Sequence, residues 1–265
     1  MFGFALLGLL GIGLIIGLNG DDDDNSFNEG DERAQGSQGD DLIDTGGGDD
    51  TVFAAGGDDV VLAGADDDRV FGGDGDDLIV GESGDDFLRG GAGDDLIFGS
   101  AGEDVINGDV GDDQISGADI IDARGLFDAT QNAVLTGTTL TDADIESFID
   151  LDADTGEADT LNGGVGNDII IAGSNDVVNT GSGSDLVNVG QWVDPDEPVQ
   201  ITDFNAVQDD IVYSYEGNTE PNVFFGEDDD GTATLVVDGR IVAYFENADF
   251  FDLQAETSII LERLV

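Results

Sequence analysis

The 265-residue sequence lacks cysteine, histidine and lysine, and its only basic side chains are six arginines. Without cysteine there is no disulfide framework and no thiolate chemistry, and the redox compartment cannot be inferred from thiols. Without histidine the chain lacks the usual general base of enzymes and the commonest ligand of transition metals. Lysine is needed for a P-loop, and neither a Ser-His pair nor a G-x-S-x-G motif occurs, so no catalytic residues are expected.

Acidic side chains dominate what is present. The chain has 62 Asp and Glu residues and a formal net charge of −56. Charge of this sign repels nucleic acid and anionic membrane surfaces, so neither is expected as a partner, and no small-molecule substrate is expected either. Metal ions are the favoured partners. A halophilic acidic surface is an alternative explanation of the charge.

The first 26 residues are interpreted as an apolar N-terminal segment followed by an acidic linker. Residues 2–18 are uncharged and apolar, close to the ~17 residues that can just span a bilayer. A signal peptide or a membrane anchor is therefore expected. No basic residue precedes the run and no A-x-A-like site follows it, so an apolar tail is the alternative.

A nine-residue period runs through residues 36–116 without a gap. Position six of every repeat is aspartate: Asp41, Asp50, Asp59, Asp68, Asp77, Asp86, Asp95, Asp104 and Asp113. Position four is glycine except at Asp66: Gly39, Gly48, Gly57, Gly75, Gly84, Gly93, Gly102 and Gly111. Position eight is always aliphatic: Ile43, Val52, Val61, Val70, Ile79, Leu88, Ile97, Ile106 and Ile115. A random acidic linker would not keep three such columns in register.

Each repeat suits a tight turn followed by a short strand whose position-eight side chain faces an apolar core. Glycine in the turn permits positive φ and lets carbonyl oxygens point inward to a metal ion, so the position-four glycines are counted among the candidate metal-site residues. One repeat cannot bury that side chain alone, so the repeats must stack. Stacked carboxylates ~4.8 Å apart repel one another by about 3.5 kcal/mol at an effective dielectric constant of 20. A cation is therefore expected between them, and calcium suits irregular cages of carboxylate and carbonyl oxygens better than magnesium does.

The pattern resembles the GGxGxDxUx motif of the RTX, or hemolysin-type, calcium-binding nonapeptide repeats. The resemblance implies an all-β fold, a right-handed parallel β-roll with two repeats per coil. It also implies that the position-six aspartates bind several calcium ions and form two ladders, with Asp41, Asp59, Asp77, Asp95 and Asp113 on one edge and the others on the opposite edge. Residues 27–35 are interpreted as a degenerate capping repeat, so that the first array covers 27–116.

The rhythm fails in residues 117–162, which are interpreted as an insertion. A second, shorter array is expected over 163–190, and its candidate calcium ligands are Asp168, Asp176, Asp185, Gly166 and Gly183. Within the insertion, Asp150, Asp152 and Asp154 have the spacing of the start of an EF-hand loop, but the bidentate glutamate of such a loop is missing. An extra calcium site and a solvated acidic loop both stay open there.

Residues 191–265 are expected to form a β-rich capping subdomain. The segments 232–237 and 240–245 flank Asp238-Gly239, a strong hairpin signal. Further strands are predicted at 199–204 and 210–215. The resemblance implies that 201–212 caps the last coil and that the C-terminal tail, 250–265, carries a type I secretion signal, so secretion machinery is a possible partner.

Outward positions seven and nine on one face form an apolar stripe: Leu42, Val60, Leu62, Leu78, Val80, Leu96 and Phe98. One hypothesis is that the C-terminal subdomain, the insertion or another molecule covers the stripe. The alternative is that β-propensity alone fills these positions.

The favoured function is calcium binding by an exported, non-enzymatic roll with a structural or interaction role at the cell surface or outside the cell. The alternatives are an accessory part of a secreted hydrolase, an acid-pair glycosidase, and an acidic solenoid without calcium dependence. A solenoid that binds ice or polysaccharide through threonine ladders is disfavoured, because Thr51 is the only threonine at an outward position, seven or nine, in the first array.

Overall fold

The computed structural model describes residues 25–26, 30–117, 157–257 and 259–263. In chain order the elements are β1 (Asn25–Ser26), β2 (Arg33–Gln35), β3 (Leu42–Asp44), β4 (Thr51–Gly56), β5 (Val60–Ala65), β6 (Arg69–Asp74), β7 (Leu78–Ser83), β8 (Phe87–Ala92), β9 (Leu96–Ala101), β10 (Val105–Val110), β11 (Gln114–Ser116), β12 (Thr160–Val165), β13 (Ile169–Ile171), β14 (Val177–Ser182), β15 (Leu186–Gly190), β16 (Val199–Ile201), β17 (Asp210–Tyr215), β18 (Val223–Glu227), β19 (Ala233–Val237), β20 (Arg240–Phe245), α1 (Phe250–Glu256) and β21 (Ile259–Arg263). The predicted all-β class is confirmed.

These strands form two sheets, and consecutive strands of the repeats alternate between them. Sheet A has the order β1-β3-β5-β7-β9-β11-β13-β15-β17-β21. Sheet B has the order β18-β19-β20-β16-β14-β12-β10-β8-β6-β4-β2. From β1 to β17 every pairing is parallel, and neighbouring coils of the first array are 18 residues apart, so one coil contains two repeats. This is the parallel β-roll, with two repeats per coil, that the resemblance to the RTX repeats implies.

The core lies between the two sheets and consists of the position-eight side chains. Ile79, Leu88 and Ile97 are fully buried, and the same holds along the column from Ile43 to Val187. Burial of each such side chain contributes about 1.5 to 3 kcal/mol. Because each coil supplies only two of them, the apolar core is thin and every coil depends on its neighbours.

The roll continues across the predicted insertion. Strand β12 pairs with β10 in the same parallel register as β8 does on the other side. Val105 is partnered by Thr160 rather than by the residue 18 positions further along the chain. The two arrays therefore stack directly, and the second begins before Gly163, the residue at which the sequence analysis placed its start.

The C-terminal segment extends both sheets. Strands β16 and β17 pair in parallel with β14 and β15, and β20 and β21 follow them. The predicted hairpin at Asp238-Gly239 is confirmed: β19 and β20 are antiparallel, and both turn residues have positive φ. Aromatic side chains fill this end of the core, where Phe245 contacts Phe204 and Phe225 edge to face.

The predicted apolar stripe lies on the outer face of sheet A, and most of it is not exposed. Leu78 and Leu96 are only 3% and 5% exposed, and Val60, Leu62, Val80 and Phe98 are buried as well. On the outer face of sheet B, Val105 is 37% exposed. The low exposure agrees with the hypothesis that the stripe is covered.

Three expectations fall outside the described residues. These are the apolar run 2–18, the EF-hand-like Asp150, Asp152 and Asp154, and most of the insertion. Among the residues that the structure does describe, no helix is both long and apolar enough to cross a bilayer.

Candidate metal centre

The position-six aspartates form two hydrogen-bonded ladders, one along each edge of the roll. In each rung the backbone N–H of one aspartate donates to Oδ1 of the aspartate one coil further on, as from Asp59 to Asp77 at 2.8 Å. The first ladder contains Asp41, Asp59, Asp77, Asp95, Asp113, Asp168, Asp185 and Asp209. The second contains Asp50, Asp68, Asp86, Asp104, Asp159 and Asp176. The structure thus brings all twelve predicted aspartates into ladders.

The second carboxylate oxygen of most ladder aspartates is buried and accepts no hydrogen bond from the described residues. This is true of Oδ2 in Asp59, Asp68, Asp77, Asp86, Asp95, Asp113, Asp168 and Asp185. An unsatisfied buried polar atom of this kind costs about 1 to 3 kcal/mol, and more when it is charged. Eight of them in repeating positions indicate that a ligand absent from the polypeptide completes the site.

Three of the four ladder ends differ from the ladder interiors. Oδ2 of Asp41 accepts the N–H of Ser37, that of Asp176 accepts the N–H of Gly173, and that of Asp209 accepts the N–H of Asn205. The protein itself therefore partners these oxygens. Asp41 and Asp176 were predicted ligands, and the structure makes them weaker candidates than the interior aspartates.

Glycine at position one makes room for the unpartnered oxygen. A Cβ added to Gly72 or Gly90 would overlap Oδ2 of Asp77 or Asp95, which belong to the same repeats. Gly81, Gly99, Gly108 and Gly163 are placed in the same way. These position-one glycines were not among the predicted site residues, although the doubled glycine of the motif was the signal for them.

Position-four glycines shape the turns at both edges. All of those predicted except Gly39 have positive φ, for example 128° at Gly75 and 147° at Gly111. A Cβ added to Gly75 would overlap the carbonyl oxygen of Gly57, its counterpart one coil earlier. Side chains are therefore excluded here by the backbone conformation and by the stacking of successive turns.

Burial in the roll makes the ladder carboxylates hard to ionise. Loss of hydration, partly offset by the backbone N–H and aggravated by neighbouring carboxylates, raises the pKa of Asp59 to about 8 and that of Asp95 to about 9. The same cause raises the pKa of Asp86 to about 8 and that of Asp77 to about 7. A cation beside these groups would favour their charged form instead.

A second set of ladders involves position five, which the sequence analysis did not single out. Here the N–H of the later coil donates to Oδ1 of the earlier coil, as from Asp76 to Asp58 and from Asp94 to Asp76. The polarity is opposite to that of the position-six ladders. The N–H of position five therefore bonds each turn to the coil before it, and the N–H of position six bonds it to the coil after it.

Two ladder residues escaped the sequence analysis, and both lie where the period changes. Asp159 accepts the N–H of Asp104 across 55 residues of sequence, and Asp209 accepts that of Asp185 from within the C-terminal segment. A Cβ on Gly117 would overlap Oδ2 of Asp159, so Gly117 serves as position one of the repeat that ends at Asn162. The insertion therefore splits one repeat after its first residue.

These donors fit a hard cation. Among the described residues no group of three or more acidic side chains is placed so that it alone could hold a metal ion, so an ion on a ladder would combine one or two carboxylates with carbonyl oxygens of the turns. Calcium accepts six to eight such oxygens in irregular geometry, whereas magnesium requires a tight octahedron. The buried Oδ2 atoms, and the space left beside them by the position-one glycines, suit calcium.

Fold and site together define a parallel β-roll with a carboxylate ladder on each edge. Comparison with protein families finds four copies of the RTX calcium-binding nonapeptide repeat, at residues 28–61, 54–88, 80–115 and 154–187. The last copy includes Asp159. No curated protein matches the sequence significantly. The chain therefore contains RTX calcium-binding nonapeptide repeats, and these repeats and the buried ladders support calcium binding by the roll.

Proposed function

We propose that this chain is an exported protein whose roll folds when calcium binds, and that it serves a structural or interaction role outside the cell or at its surface. The observation that carries the proposal is the series of buried, unpartnered Oδ2 atoms on the two ladders. With a net charge of −56 and a thin core, the metal-free chain must place these carboxylates in the roll without compensation. Binding and folding are then one equilibrium.

Calcium is the proposed cofactor, with several ions per chain. The proposed ligands are the interior ladder aspartates and carbonyl oxygens of turns that contain the position-four glycines, such as Gly57 and Gly75. Asp159 joins this set because it occupies a rung between Asp104 and Asp176. Catalysis is not part of the proposal.

Export is proposed from the need for calcium. A chain that stays unfolded at low cytosolic calcium can leave the cell unfolded and become rigid outside. A secretion signal in 250–265 and targeting or anchoring by residues 2–18 are alternative routes within this proposal. Fractionation of cells that express the full chain, with deletion of either segment, distinguishes the two routes.

Circular dichroism of the full chain tests the calcium proposal. In excess chelator at pH 7.5 we expect a largely unfolded spectrum, and addition of calcium should produce a sheet spectrum and a smaller hydrodynamic radius. Magnesium at the same concentration is the control and should produce much less sheet. A chelated sample that keeps both its sheet signal and its compact size would contradict the proposal.

A further inference from the structure

The outer face of sheet B carries a concentration of cationic side chains. We call the part formed by β2, β4, β6 and β8 the arginine face. Three of the six arginines in the chain project from it, together with three phenylalanines. They are Arg33, Arg69, Arg89, Phe53, Phe71 and Phe87.

Strand register places these side chains in two adjacent rows along the axis of the roll. One row passes through Arg33, Thr51, Arg69 and Phe87, and the other through Gln35, Phe53, Phe71 and Arg89. Neighbouring strands are ~4.8 Å apart, so the three arginines lie within ~15 Å along the axis. They form a short line of positive charge.

The arginines are largely without carboxylate partners, although the chain has a large excess of carboxylates. Arg89 pairs with Asp109. Arg33 lies over the ring of Phe53, 4.7 Å from its centroid, and makes no ion pair with the described residues. Arg69 is exposed and likewise pairs with no carboxylate of the described residues. Two guanidinium groups are therefore free to bind an anionic group of another molecule.

The two rows exclude acidic residues over a much longer distance than the arginine face itself. Beyond β8 they continue with neutral side chains: Val105, Asn107, Thr160, Asn162, Val177, Asn179 and Gln200. The two rows therefore present guanidinium, amide, hydroxyl and apolar side chains but no carboxylate. Amides both donate and accept hydrogen bonds, which suits a partner rich in hydroxyl groups.

Aromatic geometry disfavours nucleic acid as the partner. The rings of Phe53 and Phe71 are stacked on each other, with centroids 5.0 Å apart and planes 7° apart. Each ring therefore covers one face of the other, while Arg33 lies over Phe53 and Phe87 contacts Phe71. Little ring area is left to stack on bases, which is the main mode of single-strand binding. The ring edges, which carry positive partial charge, add to the attraction for anions.

Backbone pairing disfavours an extended peptide. Strands β4, β6 and β8 are hydrogen-bonded on both sides, so the arginine face offers no open strand edge for augmentation within the described residues. A flat sheet surface also lacks the groove that helix recognition uses.

We propose that the arginine face binds a linear anionic polysaccharide, with Arg33 and Arg69 contacting its carboxylate or sulfate groups and the amide rows contacting its hydroxyls. This goes beyond calcium binding, which only has to keep the sheet folded. The polymer lies along the axis of the roll, because the rows run in that direction.

The salt dependence of this binding is distinctive. At 0.01 M salt the screening length is ~30 Å, and the carboxylates of the whole molecule repel the polymer. At 0.15 M it is ~8 Å, so the repulsion is screened while direct contacts persist. Affinity should therefore pass through a maximum near physiological ionic strength, whereas ordinary polyanion binding weakens steadily as salt is added.

The test measures binding of dextran sulfate to the full chain in calcium by isothermal titration calorimetry, with neutral dextran as the control polymer. Arg69→Gln should weaken binding about fivefold, as expected for the loss of one close charge pair near the surface. Arg240→Gln is the matched control, since it removes the same charge from an exposed position on the hairpin at the far end of sheet B. It should change binding little.

Two results would overturn the proposal: no binding of dextran sulfate at any salt concentration, or equal losses in the two variants. Tighter binding of poly-glutamate or of single-stranded DNA than of dextran sulfate would overturn the choice of a polysaccharide. The calcium-induced sheet signal is recorded for each sample. A variant that folds with calcium but does not bind identifies a failure of this inference rather than of the calcium proposal.

Discussion

The two oxygens of a ladder aspartate have separate tasks. In Asp77, Oδ1 accepts the N–H of Asp59 and holds the turn, while Oδ2 is buried beside Gly72 with no partner in the described protein. Substitution with asparagine therefore distinguishes the structural role of Oδ1 from the role of the negative charge. Asparagine keeps the shape of the side chain and one hydrogen-bond acceptor but carries no charge.

We expect Asp77→Asn to weaken calcium binding at the affected rungs by about tenfold, which corresponds to loss of a charge-assisted contact of roughly 1.5 kcal/mol. The midpoint of a calcium titration followed by circular dichroism measures this shift. The neighbouring Asp76→Asn is the control, because Asp76 belongs to the position-five ladder and its Oδ1 contacts only a backbone N–H in the rungs described. Equal shifts in the two variants would contradict the assignment of position six as the ligand.

Glycine at position four is a second feature at this scale. Gly75→Ala would place a Cβ at a φ of 128° and against the carbonyl of Gly57, so we expect a loss of about 1 to 3 kcal/mol in the free energy of unfolding. Gly30 is the matched control, because it occupies the same position in the degenerate first repeat and an added Cβ would meet no atom of the described residues within 4 Å. Urea titrations in calcium should leave Gly30→Ala within about 0.5 kcal/mol of the parent. Similar losses in both variants would mean that stacking of the turns is not the cause.

At the scale of the element, the repeat interrupted between Gly117 and Asp159 shows what defines a coil. Residues 118–154 separate Gly117 from the rest of this repeat in the sequence, yet the rung from Asp104 to Asp159 has the same length, 2.8 Å, as the rung from Asp68 to Asp86 in the uninterrupted array. Register is set by the stacked turns and the core column rather than by the number of residues between them.

After deletion of residues 118–154 we therefore expect the roll still to fold when calcium is added. It joins Gly117 to Thr155 and restores a nine-residue unit that ends at Asn162, so Asp159 would follow Asp104 at the ordinary spacing. We expect the calcium midpoint to change by less than about threefold, equivalent to roughly 0.6 kcal/mol. Titration by circular dichroism measures it, and sedimentation velocity reports whether the deletion variant stays monomeric. Loss of the calcium-induced sheet signal would show that the insertion is needed to join the two arrays.

The parts of the fold that could be predicted from sequence are those with a strict period. The columns at positions four, six and eight indicated the turns, the strands and the core, because stacking requires identical spacing. The resemblance to the RTX repeats, with two repeats per coil, supplied the division of most aspartates between the two ladders. Asp159 and Asp209 could not be found this way, since one follows an insertion inside its repeat and the other lies in an aperiodic cap. The arginine face was also missed, because its side chains come together only when alternate repeats are assigned to one sheet.

At the scale of the whole molecule, the raised pKa values of the ladders determine how stability depends on pH. Asp59, Asp86 and Asp95 have pKa values of about 8, 8 and 9 in the metal-free roll, compared with 3.8 for an ordinary aspartate. A raised pKa in the folded state stabilises that state fully below the unfolded value, and the contribution is lost as pH rises through the folded value. Protonation of the ladder aspartates can thus stabilise the roll without calcium, because it removes the buried negative charges.

In chelator we therefore expect the sheet signal to increase as pH is lowered from 9 to 5, while in saturating calcium the roll is already folded at pH 7.5. Calcium affinity should change in the opposite direction and fall roughly tenfold or more between pH 8 and pH 6, because the ion competes with protons for the same oxygens. Circular dichroism across pH, with and without calcium, checks both trends. A chelated sample that loses sheet signal on acidification would contradict the assignment of the raised pKa values.

Because the repeat that begins at Gly117 is interrupted after its first residue, other sequences could be inserted into the roll at this point. Because the entropy of closing a loop grows only logarithmically with its length, doubling the length of the inserted sequence costs only about 0.6 kcal/mol. A folded domain whose ends lie close together could replace residues 118–154, and it would then be attached at a defined position along the axis of the roll. The boundary between a first and a second residue of one nonapeptide is where such a graft would disturb the scaffold least.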